Sequence, residues 1–246
     1  MNIKIGTFNI QSGVDRKYYL ETKTVRRDVS LAANAIRELG LDICGLNEIN
    51  NEEMVGGIHE PKKIAEQLGY HYAFAKALAY PNYERDYGNA LVSRYPILST
   101  KCVPIHLPVE QRIQGRGRYE DRVILCAEIL VEGKIFTVMC AHFGLYEDEI
   151  ALAVDIVREC VKNCHTPLLV LGDFNLTPES QPYSHLCEFL TDTALLLNAN
   201  KNTFPSEAPT KRIDYIFKNA DVKVLTGCVP ELVVSDHRPY VITVDI

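Results

Sequence analysis

Six apolar stretches of this chain end at a side chain that carries a carboxylate, a carboxamide or an imidazole. The residues at these ends are Asn9, Glu48, His142, Asp173 with Asn175, Asp214, and Asp236 with His237. A buried strand that ends on such a group places it at the rim of a sheet, where several groups converge on one point. Because the six ends extend from the first ten residues to the last eleven, the pattern predicts one site assembled by the fold rather than by local sequence.

The size of the chain favours a single large α/β domain over residues 1–246. With 246 residues, 47% of them apolar, the chain has ample material for a sizeable core. It contains no run of about 18 uncharged apolar residues, and its N-terminus leads into a strand without a signal-peptide pattern. We therefore expect a soluble, cytoplasmic protein with no membrane span, and we infer no obligate protein partner.

The cysteines and the net charge exclude several classes of protein. Three of the eight cysteines (Cys44, Cys126 and Cys140) lie inside apolar runs, and there is no Cys-x-x-Cys pair. We therefore expect buried thiols rather than a disulfide framework or a zinc site. The formal net charge of −6 argues against broad, sequence-independent binding to long nucleic acid. It leaves a small anionic substrate, or a short stretch of polynucleotide in a locally basic cleft.

Hydrophobic periodicity predicts strands interspersed with a few helices. We expect strands over 3–10, 42–48, 70–78, 88–97, 99–107, 167–171, 212–217, 222–225 and 240–244, a hairpin over 123–143, and helices over 25–39, 61–68 and 147–163. This mixture, with hairpins in the middle of each half, predicts an α/β (α+β) fold in which two sheets pack face to face with helices outside.

The polar strand ends supply a set of hard oxygen donors. Glu48 and Asp236 offer carboxylates and Asn9 offers a neutral amide oxygen, a set that suits Mg²⁺ or Mn²⁺ and suits zinc poorly. Magnesium keeps several waters and shares its coordination with substrate phosphate. The sequence therefore predicts a metal site made by a few residues from distant strands.

The remaining polar ends suit acid–base chemistry. Asp173 and Asn175 lie two residues apart in a turn, so one side chain can accept a proton from an attacking water while the other holds that water or a phosphate oxygen. Asp214 can hold the imidazole of His237 in one tautomer and favour its charged form. His142 can supply a second acid toward the leaving oxygen.

Seven short motifs in this order resemble the endonuclease/exonuclease/phosphatase (deoxyribonuclease-like) superfamily. They are Thr-Phe-Asn-Ile at 7–10, Leu-Asn-Glu at 46–48, Gly-Asn-Ala-Leu-Val-Ser-Arg at 88–94, Ala-His-Phe at 141–143, Gly-Asp-Phe-Asn at 172–175, Arg-Ile-Asp-Tyr-Ile-Phe at 212–217 and Ser-Asp-His at 235–237. The resemblance implies a four-layered α/β sandwich of two mixed, mostly antiparallel sheets flanked by helices, and metal-dependent cleavage of phosphate esters.

The resemblance also implies residue roles. Asn9, Glu48 and Asp236 belong to the metal site, Asp173 and Asn175 to the nucleophile and phosphate site, and Asp214 with His237 to the imidazole pair. His142 stands where the family places a histidine or a tyrosine. One departure is Asn47, since the family commonly has glutamine before the metal glutamate, and we expect it to affect packing more than activity.

Two loops are candidates for contact with substrate. Asn89 lies inside a motif, and Arg122 leads into the hairpin that delivers His142, so both are predicted to bind phosphate. The arginines between Arg112 and Arg122 fit a phosphate-binding loop and a solvated surface loop equally well. Tyr80, Tyr83 and Tyr87 fit either stacking on a base or sugar or ordinary packing.

The leading hypothesis is therefore a Mg²⁺-dependent hydrolase in which water attacks a phosphate ester. A nuclease-like phosphodiesterase is slightly favoured, and a sphingomyelinase-like lipid phosphodiesterase and an inositol-phosphate or other small phosphomonoester phosphatase remain as alternatives. The substrate is accordingly a nucleic acid, a lipid head group or a small phosphate ester. A hypothesis of a different class is a catalytically silent binding module with the same fold, which would be expected to have lost some of its ligands.

Overall fold

Two six-stranded sheets form the centre of the molecule in the computed structural model, which describes residues 1–52, 57–80, 85–112 and 119–245. The strands are β1 (Asn2–Asn9), β2 (Ile43–Asn51), β3 (His71–Tyr80), β4 (Arg85–Ser93), β5 (Ile97–Ile105), β6 (Arg122–Val131), β7 (Lys134–His142), β8 (Leu168–Asp173), β9 (Thr191–Asp192), β10 (Asp214–Lys218), β11 (Lys223–Cys228) and β12 (Tyr240–Asp245). The helices are α1 (Arg16–Thr22), α2 (Ser30–Leu39), α3 (Glu60–Leu68), α4 (Glu147–Lys162), α5 (Gln181–Cys187) and α6 (Thr193–Leu196).

The strand order in the first sheet is β11-β12-β1-β2-β4-β3, and in the second sheet it is β5-β6-β7-β8-β10-β9. At the centre of each sheet two strands run parallel, β1 with β2 and β7 with β8. The other pairings are antiparallel. Within the described ranges, no helix is both long enough and apolar enough to cross a bilayer.

Alternation along the strands separates three apolar clusters and so builds the layers. Ile43 and Cys140 face the cluster between the two sheets, whereas their neighbours Cys44 and Met139 face outward. The outer face of the first sheet packs against α2 and α3, and the outer face of the second packs against α4 and α5. The predicted four-layered α/β sandwich is therefore confirmed.

Four short elements were not anticipated from the sequence, namely α1, α5, α6 and β9. Helix α1 buries none of its residues and begins at the Asp15 side chain, which accepts a hydrogen bond from the backbone N–H of Tyr18. It therefore has no apolar stripe that periodicity can detect. Helix α2 begins at Ser30 rather than at residue 25, because backbone hydrogen bonds join Arg26 and Asp28 to the 13–15 segment instead.

All eight cysteines are free thiols. Cys44 and Cys140 are buried, as predicted, whereas Cys126 is half-buried under α4.

Gly172 allows the closest backbone approach next to the candidate site. Its φ of +144° lies where side chains other than glycine are strained, and a Cβ at this position would lie 1.8 Å from the carbonyl oxygen of Ala141 on β7. Separation of β7 from β8 would be needed to admit a methyl group.

We therefore expect Gly172→Ala to lower the free energy of unfolding by on the order of 3 kcal/mol, measured by urea denaturation. Gly133→Ala is a matched control with a positive φ and no atom within 4 Å of the added Cβ, and it should cost less. An equal loss in both variants would contradict the steric explanation.

Candidate functional site

The predicted polar residues meet because parallel and antiparallel strands share one edge. Strands β1, β7 and β8 end there with Asn9, His142 and Asp173. The antiparallel strand β10 begins there, so that Asp214 pairs directly with Asp173. The chain also enters β12 from this edge, which brings in the preceding Asp236 and His237.

Glu48 reaches the edge by a different route from the predicted strand end. Strand β2 continues to Asn51, and its pairing with β4 shifts register between Asn47 and Ile49. Glu48 lies in this bulge with a φ of +56°. Such a bulge re-aims a side chain, so the strand delivers Glu48 toward the site from its middle rather than from its end.

Asn9 joins two of the carboxylates. Its Nδ2 donates hydrogen bonds to Oε1 of Glu48 and to Oδ2 of Asp173, both at 3.0 Å. Its Oδ1 accepts from the backbone N–H of Gln11 at 3.1 Å. In this arrangement Asn9 is a hydrogen-bond partner of Glu48 and Asp173. Its expected role as a direct metal ligand stays a prediction.

The second carboxylate of the expected metal site lies near Glu48. Asp236 lines the same cleft as Glu48. Burial raises the pKa of the Glu48 carboxyl, the hydrogen bond from Asn9 opposes this shift, and the negative charge of Asp236 adds to it. A cation between two such carboxylates would relieve their repulsion, so this donor set fits a hard divalent ion.

Asp173 is a deeply buried carboxylate of the site whose pKa is strongly raised. It is 2% exposed, and burial raises its pKa to about 7, with the charge of His237 opposing the shift and that of Asp214 adding to it. Near neutral pH the group is thus poised between its two protonation states. Its Oδ1 accepts from the backbone N–H of Asn175, whose Nδ2 donates to the carbonyl of Phe143 at 3.1 Å.

His237 lies between two carboxylates. Its Nδ1 is 2.9 Å from Oδ2 of Asp214, and its Nε2 is 3.6 Å from Oδ2 of Asp173. Burial disfavours the imidazolium, but the charges of these two carboxylates outweigh it and raise the pKa of His237 to about 10. The ring also packs 4.8 Å from that of Phe204. The predicted Asp214–His237 pair is therefore formed, with the imidazole positively charged.

One oxygen or nitrogen each from Asp173, Asp214 and His237 lies within 4.8 Å of the others, a spacing that also fits a metal ion. Because Nδ1 of His237 is already hydrogen-bonded to Asp214, we describe this trio as an imidazole held between carboxylates.

His142, unlike His237, favours its neutral form. Its Nε2 lies 3.7 Å from Oδ2 of Asp173, and its Nδ1 lies 3.3 Å from Nη1 of Arg122. Burial together with the charges of Arg122 and His237 holds the pKa of His142 well below its usual value. A neutral ring that accepts from Arg122 through Nδ1 carries its proton on Nε2 and is a hydrogen-bond donor there. The expected role of His142 as an acid stays a prediction.

Asn47 ties the two sheets together behind these groups. Its Oδ1 accepts from the backbone N–H of Asp173 at 3.0 Å, and its Nδ2 donates to Oδ1 of Asn89 at 2.9 Å and to the carbonyl of Ala141 at 3.0 Å. Asn89 in turn donates to the carbonyl of Val123. Asn89 is 1% exposed and does not line the cleft, so the structure places it in this bridge rather than at the predicted phosphate-binding surface.

The site opens into a cleft of about 820 Å³. Seven of the residues predicted from the sequence line it, namely Glu48, Arg122, His142, Asp173, Asn175, Asp236 and His237. Asn9 and Asp214 lie behind them, bonded to Asp173 and His237. Tyr87 also lines the cleft. Arg112 does not line it, and its guanidinium lies 5.3 Å from the centre of the Tyr119 ring. Tyr83, Arg116 and Arg118 lie outside the described residues.

Several lining residues were not identified from the sequence. They include Gln11, Arg27, Glu120, Phe204 and Lys211. None of them ends an apolar run. For Arg27 and Lys211, a sequence signal is the second basic residue beside each of them, at 26–27 and 211–212.

A sequence profile of the endonuclease/exonuclease/phosphatase family matches residues 6–237, which covers every residue of the site. The chain belongs to this family. Members of the endonuclease/exonuclease/phosphatase family are hydrolases that act on phosphate esters, and this protein is a hydrolase of that class. The family generally depends on divalent metal ions, in agreement with the donor set of Glu48 and Asp236.

Solved structures share the fold at low sequence identity. A mannosyl-6-phosphatase from Bacteroides thetaiotaomicron is 17% identical, with a TM-score of 0.79 and coverage of 99% of this chain and 100% of that one. An endonuclease/exonuclease/phosphatase family protein from Leptotrichia buccalis is 20% identical, with a TM-score of 0.77 over 99% and 100%. The catalytic domain of human Nocturnin is 17% identical, with a TM-score of 0.67 over 99% and 93%. No curated protein sequence matches the chain significantly.

Proposed function

We propose that this endonuclease/exonuclease/phosphatase family protein is a Mg²⁺-dependent phosphoesterase that uses Asp173 as the base for attack by water. The observation that carries the proposal is the setting of the Asp173 carboxylate. It is buried and has a pKa raised to about 7. In the same cleft it faces His142, which favours its neutral form, and His237, which favours its charged form. We infer further that residues 1–246 form one catalytic domain that works in the cytoplasm, as expected from its free thiols.

Glu48 and Asp236 are proposed to hold the ion, with Mn²⁺ as the alternative to Mg²⁺. The bound ion would neutralise charge that develops on the phosphate oxygens. Asn9 orients Glu48 and Asp173 through its two donated hydrogen bonds, so we propose it as a positioning residue for the metal site. The carboxylates thereby keep a fixed separation before substrate arrives.

The carboxylate of Asp173 is proposed to accept the proton from the attacking water. A base with a pKa near the working pH combines adequate ionisation with adequate basicity. Asn175 follows two residues later with a positive φ, and its backbone N–H steadies the Oδ1 of Asp173. We propose that its side-chain amide positions the water or a phosphate oxygen.

The imidazoles are proposed to stabilise the anionic transition state. His237, charged and held by Asp214, faces the non-bridging oxygens of the phosphate. His142 donates through Nε2, and Arg122 fixes its tautomer from the other side. Arg122 also forms an ion pair with Glu120 at 3.1 Å, which offsets its charge, so we propose that it acts on the phosphate mainly through His142.

The cleft supports a compact phosphate ester better than a long polynucleotide. Its volume of about 820 Å³ falls within the range for small-molecule sites, and the formal net charge of −6 disfavours a polyanion. The similarity to a mannosyl-6-phosphatase points the same way. We therefore place a small phosphomonoester or phosphodiester ahead of the nuclease-like activity slightly favoured by sequence alone, and we retain the nuclease and lipid activities as competitors in the assay.

The decisive experiment is a side-by-side activity screen with Mg²⁺ and Mn²⁺. The substrates are mannose 6-phosphate, an inositol phosphate, a sphingomyelin analogue, a chromogenic phosphodiester, RNA, and single- and double-stranded DNA. Turnover of small esters at rates well above those for polynucleotides is the expected result. Metal binding without turnover of any substrate would instead favour the catalytically silent module.

Removal of the metal tests the donor set directly. We expect a chelator to abolish hydrolysis and Mg²⁺ to restore it. Glu48→Gln should weaken Mg²⁺ binding by at least about 10-fold in isothermal titration calorimetry, because the site loses one of its anionic oxygens. Glu38→Gln, a change to an exposed carboxylate on α2, serves as the control. Unchanged Mg²⁺ affinity in Glu48→Gln would place the ion elsewhere.

A further inference from the structure

Two dibasic sequences, Arg26-Arg27 and Lys211-Arg212, border the cleft. In each of them one cation lines the cleft and the other does not. Arg27 and Lys211 line the cleft, whereas Arg26 and Arg212 do not. The two that face away are bound to carboxylates, Arg26 to Asp15 and Arg212 to Asp192 at 2.6 Å.

Arg27 and Lys211 remain available to bind a ligand. Across the described part of the chain, neither Arg27 nor Lys211 forms an ion pair or a side-chain hydrogen bond. Arg27 acts electrostatically on Glu60, but that carboxylate accepts its hydrogen bonds from Asn50. Both cations are exposed at the mouth of the cleft.

Short antiparallel bridges explain this division. Val14 pairs with Arg27, and Phe204 pairs with Lys211. Successive side chains of an extended segment point to opposite sides. Once Arg26 and Arg212 are turned toward their carboxylates, Arg27 and Lys211 are therefore directed to the cleft side.

The segments that carry the two cations are each fixed to the fold, and backbone hydrogen bonds join Arg26 and Asp28 to residues 13–15. Arg16, at the start of α1, forms an ion pair with Glu207 in the 203–211 loop at 2.6 Å. The side chain of Arg238 donates to the carbonyl of Ser206 at 2.7 Å. The cations consequently extend from anchored backbone, which lowers the conformational cost of binding a ligand between them.

We propose that Arg27 and Lys211 form a second anion subsite, which binds a phosphate or carboxylate group of the substrate other than the phosphate that is cleaved. This inference rests on the proposed function. The cations deeper in the cleft are already engaged, Arg122 with Glu120 and His237 with Asp214. The two unpaired cations at the rim are therefore the groups left to hold a second anion, and the substrate is a small phosphate ester that carries one.

Competition by non-hydrolysable ligands tests the subsite. The probes are α,ω-alkane bisphosphonates with two to six carbons, each compared with the alkylphosphonate of equal length. Inhibition of p-nitrophenyl phosphate hydrolysis is measured in Mg²⁺, and the thermal shift produced by each probe gives a second readout that needs no turnover. At least one bisphosphonate should bind about 10-fold more tightly than its partner.

The variants assign this advantage to the two cations. For each pair of probes, the inhibition constant of the alkylphosphonate is divided by that of the bisphosphonate. In Arg27→Gln and in Lys211→Gln this ratio should fall about 10-fold. Lys134→Gln removes an exposed cation at the far end of β7 and should leave the ratio unchanged. The proposal is overturned if no bisphosphonate is preferred, or if the preference survives both rim substitutions.

Two further outcomes are informative. A short single-stranded oligonucleotide that competes better than every bisphosphonate, and loses that advantage in the rim variants, would overturn the small-ester class. Failure of the proposed function is recognised separately, because the wild-type protein would then show thermal shifts with bisphosphonates but no metal-dependent hydrolysis.

Discussion

Asp173→Asn should lower kcat by about 10²–10⁴-fold while the protein stays folded. Asparagine has nearly the same shape as aspartate and can accept the hydrogen bond either from Asn9 or from the backbone N–H of Asn175, but it cannot take a proton from water. Because burial raises the pKa of the Asp173 carboxyl to about 7, the ionised form opposes folding, and its removal should leave Tm unchanged or higher.

Steady-state kinetics and thermal unfolding of the same preparation separate the two effects. Asp155→Asn, which changes an exposed carboxylate on α4, controls for the loss of one negative charge. If Asp173→Asn retained wild-type kcat, another group would have to be the base. If it lost activity together with its folded structure, the variant would say nothing specific about catalysis, and Asp173→Glu would then be compared for a shift in kcat alone.

Arg212→Met should lower the free energy of unfolding by about 3–5 kcal/mol. Arg212 and Asp192 are both buried, and they form an ion pair at 2.6 Å. The Asp192 carboxylate also accepts from the Tyr183 hydroxyl, and the guanidinium lies 4.6 Å from the Tyr215 ring. Methionine fills much of the same volume but leaves the carboxylate charged, buried and without its cation.

The contribution of the charge is isolated by two comparisons in urea unfolding. Arg212→Met combined with Asp192→Asn should recover part of the lost stability, because no uncompensated charge remains. Arg158→Met breaks the partly exposed pair with Glu188 and should cost no more than about 1 kcal/mol. Similar losses in Arg212→Met and Arg158→Met would show that burial does not govern these pairs.

Local sequence was sufficient for the layers of the fold because alternation is a local property. Ile43 and Cys44, like Met139 and Cys140, show from their neighbours alone that a strand is buried on both faces. Helix α1 was missed for the same reason, since it buries no residue and leaves no periodic pattern. Its start depends on the Asp15 cap and on contacts with distant segments.

The candidate site was largely predictable as a set of residues and much less so as a set of contacts. Glu48, Asp173 and His237 line one cleft, as their places at the ends of apolar runs had indicated. The bulge that re-aims Glu48 depends on pairing with β4. The direction of the Asn9 amide depends on Gln11 and on a carboxylate 164 residues away.

The sequence by itself determined which chemical groups stand at the rim of the sheets, because residue order along a strand decides what lies at its end. Only the tertiary structure decided their burial, their hydrogen bonds and the directions of their pKa shifts. Asp173, His142 and His237 differ in protonation because burial and neighbouring charges act through space. Arg27 and Lys211 likewise became candidates only when folding paired their neighbours elsewhere, since no local pattern specifies which of two adjacent cations will keep a free charge.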